Sequence, residues 1–296
     1  MNSKPSIVVT GAKGQLGQSL KRELSLAGFD KVEYIDIEDL DLANQKGVAA
    51  YFETHPCDIL INCAAYTAVD KAEEEPNKAM MINAMVPMYL GEQAAKNKFK
   101  IIHISTDYVF SGTKNSPYVE EDTGEEDKAG KGPINQYGKT KLVGELLLQK
   151  YIADAVIIRT SWLYSEFGKN FVKTMINKAA EDTEVKVVND QFGSPTYAGD
   201  LARAIIEMIQ ADEWQGGVFH FCNSGAISWR DFAAAVYEEA GKDKDMVSAI
   251  PTESYPTLAR RPKYSVLDTA KIRKTFGIDI PEWRESLRRC MENLKN

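Results

Sequence analysis

Short apolar runs recur along the first half of this chain, and the stretches between them have helical length. Residues 7–10, 32–35, 59–64, 100–105 and 155–159 form the runs, most of them rich in Ile, Val or both. Between them, residues 15–27, 45–54, about 77–96 and 137–151 read as helices. Strands that are apolar on both faces belong to a parallel sheet covered by helices on both sides. The expected class is therefore α/β with a doubly wound parallel sheet. After residue 160 the rhythm loosens into strand-like pieces (186–188, 218–222) and helices (200–210, 229–240, 283–294), broken by Pro195, Pro251, Pro256, Pro262 and Pro281. This half reads as a smaller α/β unit, with some chain crossing back to the sheet. Residues 120–131, charged and glycine-bearing, read as a surface loop.

Composition removes several classes. The chain has 296 residues, 44% hydrophobic and 27% charged, which excludes a disordered chain, a collagen-like fibre and a coiled-coil rod. A net charge of −7 provides no general field for nucleic acid or an anionic membrane. No apolar run approaches membrane-spanning length. Cys57, Cys63, Cys222 and Cys290 form no C-x-x-C pair, and three histidines make a His-rich metal site unexpected. No metal, nucleic-acid or membrane partner is expected. The N-terminal residues contain no signal-peptide core, so a cytoplasmic location is expected.

Thr10-Gly11-Ala12-Lys13-Gly14-Gln15-Leu16-Gly17 follows the first strand and opens the first helix as T-G-x-x-G-x-x-G. Glycines there permit a tight turn and close approach to a pyrophosphate seated on a helix N-terminus. This makes residues 1–160 a dinucleotide-binding Rossmann domain and leaves 161–296 mainly for the substrate. Asp36, 19 residues after Gly17, ends the second strand, where an acid can accept from ribose hydroxyls and favours NAD. Lys13 could neutralise a 2′-phosphate, so NADPH and NADH both stay open. Asp41 and Leu42 follow where the chain could cover the adenine. Each acid also has a plain reading as a solvated loop carboxylate.

Tyr137 and Lys141 form Y-x-x-x-K on a helix, one turn apart on one face. A neighbouring ammonium favours the phenolate and brings the tyrosine toward use as a general acid. Upstream, Ser105-Thr106-Asp107-Tyr108-Val109-Phe110 closes the fourth strand at the end where open α/β sheets hold ligands. A hydroxyl there could hold a substrate oxygen, and Ser105 could equally cap a turn. By itself the Y-x-x-x-K pair could be an exposed helix pair.

These motifs, in this order with Asn62-Cys63-Ala64-Ala65-Tyr66, resemble the extended short-chain dehydrogenase/reductases. The segments NCAAYTAVDKAE, STDYVFSG, INQYGKTKLVGE, RTSWLY, NDQFGSPTYAGDLA and RRPKYSVLD are closer still to the dTDP-4-dehydrorhamnose reductase family. The resemblance spans residues 8–268. It implies NAD(P)H-dependent reduction of the C4 ketone of dTDP-4-dehydro-L-rhamnose, with a dTDP-sugar as small-molecule partner. It further implies Gly11, Gly14, Gln15, Leu16 and Gly17 at the pyrophosphate, Asp41 and Leu42 near adenine, and Ala64, Ala65 and Tyr66 along the ribose. Tyr137 would donate the proton, and Lys141 would bind the nicotinamide ribose and tune Tyr137. Thr106, Asp107 and Trp162 would meet the sugar nucleotide, and Arg261 is a diphosphate partner on charge grounds. Trp162 also reads as a core aromatic.

Two departures stand out. Some relatives place an acid shortly after the third glycine in a metal-mediated dimer contact, and here Gln18 and Ser19 are uncharged. A monomer or weak homodimer, without metal, is expected. The interval from Thr106 to Tyr137 is also stretched. Two other functions compete. A sugar-nucleotide dehydratase or epimerase would hold NAD tightly, but its Asp-Glu pair is here Asp107-Tyr108. A non-catalytic relative, like the regulatory subunit of methionine adenosyltransferase, would not need Thr106, Tyr137 and Lys141 together.

Overall fold

The structure is a computed structural model that describes residues 4–123 and 132–295. Strands β1 (Ile7–Thr10), β2 (Val32–Ile35), β3 (Ile59–Asn62), β4 (Lys100–Thr106) and β5 (Val156–Thr160) form one parallel sheet. Its strand order is β10-β5-β4-β3-β1-β2, where β10 (Gly217–His220) comes from the second half of the chain and pairs parallel with β5. The order reverses between β1 and β3, and the crevice beyond their C-terminal ends is where such sheets bind ligands.

Helices cover both faces. On one side α1 (Gln15–Leu26) packs with α8 (Ala198–Gln210) through Leu16, Leu20, Leu24, Leu201 and Ile205. On the other, α2 (Gln45–Thr54), α5 (Val86–Asn97) and α6 (Gln136–Tyr151) bury Val48, Phe52, Leu90 and Leu148 against Val8, Leu60 and Ile101. Each such side chain contributes about 1.5–3 kcal/mol on burial. Asn44 and Asn135 cap α2 and α6 by accepting from the Gly47 and Gly138 amides at 3.1 and 2.8 Å.

The helix expected over 77–96 is divided. Helices α3 (Val69–Glu74) and α4 (Pro76–Met80) lead into a π-turn over Met81–Met85 before α5. Pro87 explains the break, because it has no N–H to return to the Asn83 carbonyl. That carbonyl instead faces α6, where a Cβ on Gly144 would stand 2.0 Å from it.

A second core, built from Tyr164, Val172, Phe232, Val236, Trp283 and Leu287, joins α7 (Phe171–Ala180), α9 (Trp229–Glu239) and α11 (Trp283–Asn293). Small strand pairs complete this half: β6 (Leu163–Tyr164) with β9 (Thr196–Tyr197), β7 (Val185–Val188) with β12 (Val247–Ile250), and β8 (Phe192–Gly193) with β11 (Ile227–Ser228). Helix α10 spans Ala270–Phe276.

The surface-loop expectation for 120–131 requires correction at its start. Glu120 is buried and accepts from the His220 amide at 3.0 Å, while its carbonyl accepts from Arg159 Nη1 at 3.0 Å. These buried donors need acceptors, and Glu120 supplies two. Residues 124–131 lie outside the described residues. Among the described residues no helix is long and apolar enough to cross a membrane.

Candidate active site

The glycine turn lies at the switch point. Gly11 adopts φ +64°, and a Cβ on Gly17 would stand 2.5 Å from the Gly11 carbonyl, so turn and helix touch through bare backbone. Helix α1 begins at Gln15 behind Gly14 with no side-chain cap, leaving N-terminal amides to an anionic ligand. These features fit a dinucleotide pyrophosphate. Leu16 is buried in the core, and the Gln15 side chain turns to the second half. It accepts from Asn170 Nδ2 at 2.9 Å and from Ser165 Oγ at 3.1 Å. The Gln15 side chain is thus engaged away from the glycine turn.

At the end of β2, Asp36 accepts from the Lys13 and Ile37 amides at 2.8 and 2.9 Å. Lys13 Nζ pairs with Glu38 at 2.8 Å, both side chains well exposed. Asp41 is exposed and holds the Ala43 amide at 3.0 Å, while Leu42 packs partly into the core. Ala64, Ala65 and Tyr66 line the chain after β3 and are part-buried. Asn83, in the π-turn, accepts from the Tyr66 amide at 2.8 Å and donates to Thr140 at 3.1 Å, locking this strip to α6.

Thr106 and Tyr137 meet at the C-terminal end of β4. The Thr106 hydroxyl lies close enough to the Tyr137 phenol to favour its ionised form, and it donates to Asp107 Oδ1 at 3.0 Å. Their approach depends on Gly138, since a Cβ there would lie 2.0 Å from the Tyr108 carbonyl. The Tyr108 ring stands edge-on to Tyr137, centroids 5.7 Å apart. Burial pushes the Asp107 carboxyl up to about 7, and its Oδ2 is buried with no hydrogen-bond partner among the described residues. Ser105 donates to Glu145, which is paired with Arg159 at 2.6 Å beneath the site.

Lys141 is 1% exposed and donates to the Ile104 carbonyl at 2.6 Å. Burial pushes the Tyr137 phenol up to about 12, and burial likewise brings the Lys141 amine down to about 8. Desolvation dominates both shifts, because both groups leave water.

Trp162, at φ +47°, stacks on Trp229 with centroids 3.7 Å apart, and a Cβ on Gly193 would sit 2.6 Å from its ring. Arg261 lies close enough to Tyr108 for the two to influence each other electrostatically, but both Nη atoms are on Asp70, at 2.9 and 2.6 Å. The cation expected to meet a diphosphate is thus paired with a carboxylate. Ser19 is fully buried and donates to the Gln15 carbonyl at 3.0 Å.

Sequence reasoning did not single out His103, Asn83, Asp70 or Trp229. A polar residue inside the apolar run of β4 was the available signal for His103. Pro87 was the signal for the π-turn carrying Asn83. Asp70 and Trp229 carried none, because their partners are distant in the chain.

Comparison with known proteins agrees with this geometry. The family described as RmlD substrate binding domain matches residues 5–296. A dTDP-4-dehydrorhamnose reductase of Aggregatibacter actinomycetemcomitans is 40% identical over 95% of this chain and 97% of its own. The spore coat polysaccharide biosynthesis protein SpsK of Bacillus subtilis is 40% identical over 97% and 96%. The dTDP-4-dehydrorhamnose reductase of Bacillus anthracis, solved in complex with NADP, superposes with a TM-score of 0.90 at 36% identity, covering 98% of this chain and 99% of that one. A likeness that runs the length of both chains, in sequence and in fold, makes this chain a member of the dTDP-4-dehydrorhamnose reductase family.

Proposed function

We infer that this chain reduces the C4 ketone of dTDP-4-dehydro-L-rhamnose to dTDP-L-rhamnose with NADPH or NADH. The observation that carries the reading is the gathering of Thr106, Tyr137 and Lys141 at the C-terminal end of β4, the last two one helical turn apart, beside the sheet's switch point. Gly11, Gly14, Gly17 and the uncapped start of α1 would hold the dinucleotide, with Ala64, Ala65 and Tyr66 along it. When bound, the reduced nicotinamide supplies the hydride.

The chain's own residues handle the proton. A phenol pushed up to about 12 stays protonated at physiological pH, so Tyr137 arrives as an acid. It donates from its hydroxyl as charge develops on the ketone oxygen, with Thr106 fixing its direction. The free Oδ2 of Asp107 suits a sugar hydroxyl donor, Trp162 offers the sugar a ring face, and Arg261 offers the diphosphate a cation. An elimination would need a second carboxylate where Tyr108 stands.

The likeness to SpsK supports a place in polysaccharide biosynthesis, extending to cell-surface polysaccharide. A cytoplasmic location goes with this reading, and its four cysteines are free thiols, as a reducing compartment keeps them. The chain would act as a monomer or weak homodimer. Following nicotinamide oxidation with dTDP-4-dehydro-L-rhamnose, using each reductant, tests the reading. Turnover supports it. No turnover with either, in protein that binds both ligands, overturns it.

A further inference from the structure

Four buried polar side chains run in a line beneath the glycine turn, from β1 across β3 and β4 to α6. Thr10, Asn62, His103 and Lys141 are each no more than 1% exposed. Thr10 Oγ1 donates to Asn62 Oδ1 at 2.7 Å, and the Ala64 amide donates to the same oxygen at 3.2 Å. Asn62 Nδ2 lies 3.0 Å from His103 Nδ1, and His103 Nε2 lies 3.3 Å from Lys141 Nζ.

Counting donors and acceptors determines the protons. A backbone N–H only donates, so the amide oxygen of Asn62 faces Ala64 and its nitrogen faces His103. That nitrogen donates, so Nδ1 accepts. Burial holds His103 well below the usual histidine range and therefore neutral. A neutral imidazole that accepts at Nδ1 carries its hydrogen on Nε2. This Nε2–H points at Nζ.

An ammonium has three donors and no acceptor. Facing Nε2–H it makes no bond there. The free amine accepts from Nε2–H and still donates to the Ile104 carbonyl at 2.6 Å. Two other groups bear on Nζ: Glu145 on the same helix, already paired with Arg159 at 2.6 Å, and Cys63 after β3, a neutral thiol pushed up to about 12. Glu145 favours the ammonium, and burial opposes it more strongly.

We propose that His103, locked by Asn62 in the Nε2–H tautomer, is a positioning residue that favours the uncharged amine of Lys141 in the ligand-free enzyme. Its bearing on catalysis rests on the reductase reading, but the proton arrangement does not.

The test is NMR on the full, ligand-free chain. With three histidines, ¹⁵N-histidine labelling reads the His103 tautomer directly. Nε2–H is expected, and Nδ1–H overturns the proposal. In ¹³C-lysine-labelled protein, His103→Gln places an amide that can turn its oxygen to Nζ. The Lys141 titration should then move up by about one pH unit, and His103→Phe, which removes the Nε2–H donor without supplying an acceptor, should move it up by less. A titration unmoved in either variant overturns the proposal. If His103→Gln does not fold, the wild-type tautomer decides. The alkaline limb of kcat/KM should follow the Lys141 titration. Absence of turnover would count against the reductase reading and leave the NMR result standing.

Discussion

Arg261 and Asp70, 191 residues apart, meet in a two-pronged ion pair that ties the segment after β12 to the start of α3. The guanidinium holds the Asp70 carboxyl below its usual range, and the Ala259 amide adds a bond at 3.0 Å. Arg261→Ala should raise KM for the sugar nucleotide by about 10-fold or more, the scale of a lost charge-assisted hydrogen bond, and leave KM for NADPH alone. Arg261→Lys should recover only part, because an ammonium cannot fork. Steady-state kinetics with each substrate varied checks this. An unchanged sugar-nucleotide KM would make the arginine purely architectural.

Tyr137→Phe keeps the ring against Tyr108 and removes only the hydroxyl that donates the proton. Both kcat and kcat/KM should fall by about 10²–10⁴-fold, with cofactor affinity kept. Near-normal kcat with a raised KM would move the acid elsewhere.

Asp107 makes folding pH-dependent. Its carboxyl titrates near about 7 when folded, above the usual 3.8, chiefly because it is buried. A raised folded value means that the favourable contribution is complete below about pH 4 and is lost as pH rises through about 7. The loss should be on the order of a few kcal/mol. Urea unfolding of wild type and Asp107→Asn across this range gives the difference. If the two slopes coincide, the carboxyl does not titrate as described.

Gly193→Ala should disturb the tryptophan pair, since its Cβ would enter the Trp162 ring. The expected result is a raised sugar-nucleotide KM and altered tryptophan fluorescence, with cofactor binding intact. Unaltered fluorescence would show that the ring has room to move.

Glu38 already pairs with Lys13, the cation expected to meet a cofactor 2′-phosphate. The pair is exposed and therefore weak. Glu38→Gln should improve kcat/KM with NADPH by a few-fold and leave NADH unchanged. Equal changes with both reductants would remove Lys13 from phosphate recognition.

Much of the sheet was readable because its strands are mostly apolar runs separated by stretches of helical length. β2 and α2 fall at the expected residues, 32–35 and 45–54. Tyr137 and Lys141 were readable because i and i+4 share a helix face. The direction of the Lys141 amine was not, since it depends on His103 and the Ile104 carbonyl across the sheet. Glu120 looked solvated by composition, but its acceptors answer donors on Arg159 and His220, far away in sequence. Arg261 was recognisable as a cation, while its commitment to Asp70 is a product of chain return.

The sixth strand has a temporal consequence. β10 pairs with β5 about sixty residues after β5 has been made. At synthesis rates of about 5–20 residues per second, that is roughly 3–12 s. During this interval β5, buried throughout in the finished molecule, has an open edge able to recruit another strand. A chain cut after residue 160 would keep that edge permanently. It should aggregate rather than persist as a free nucleotide-binding fragment.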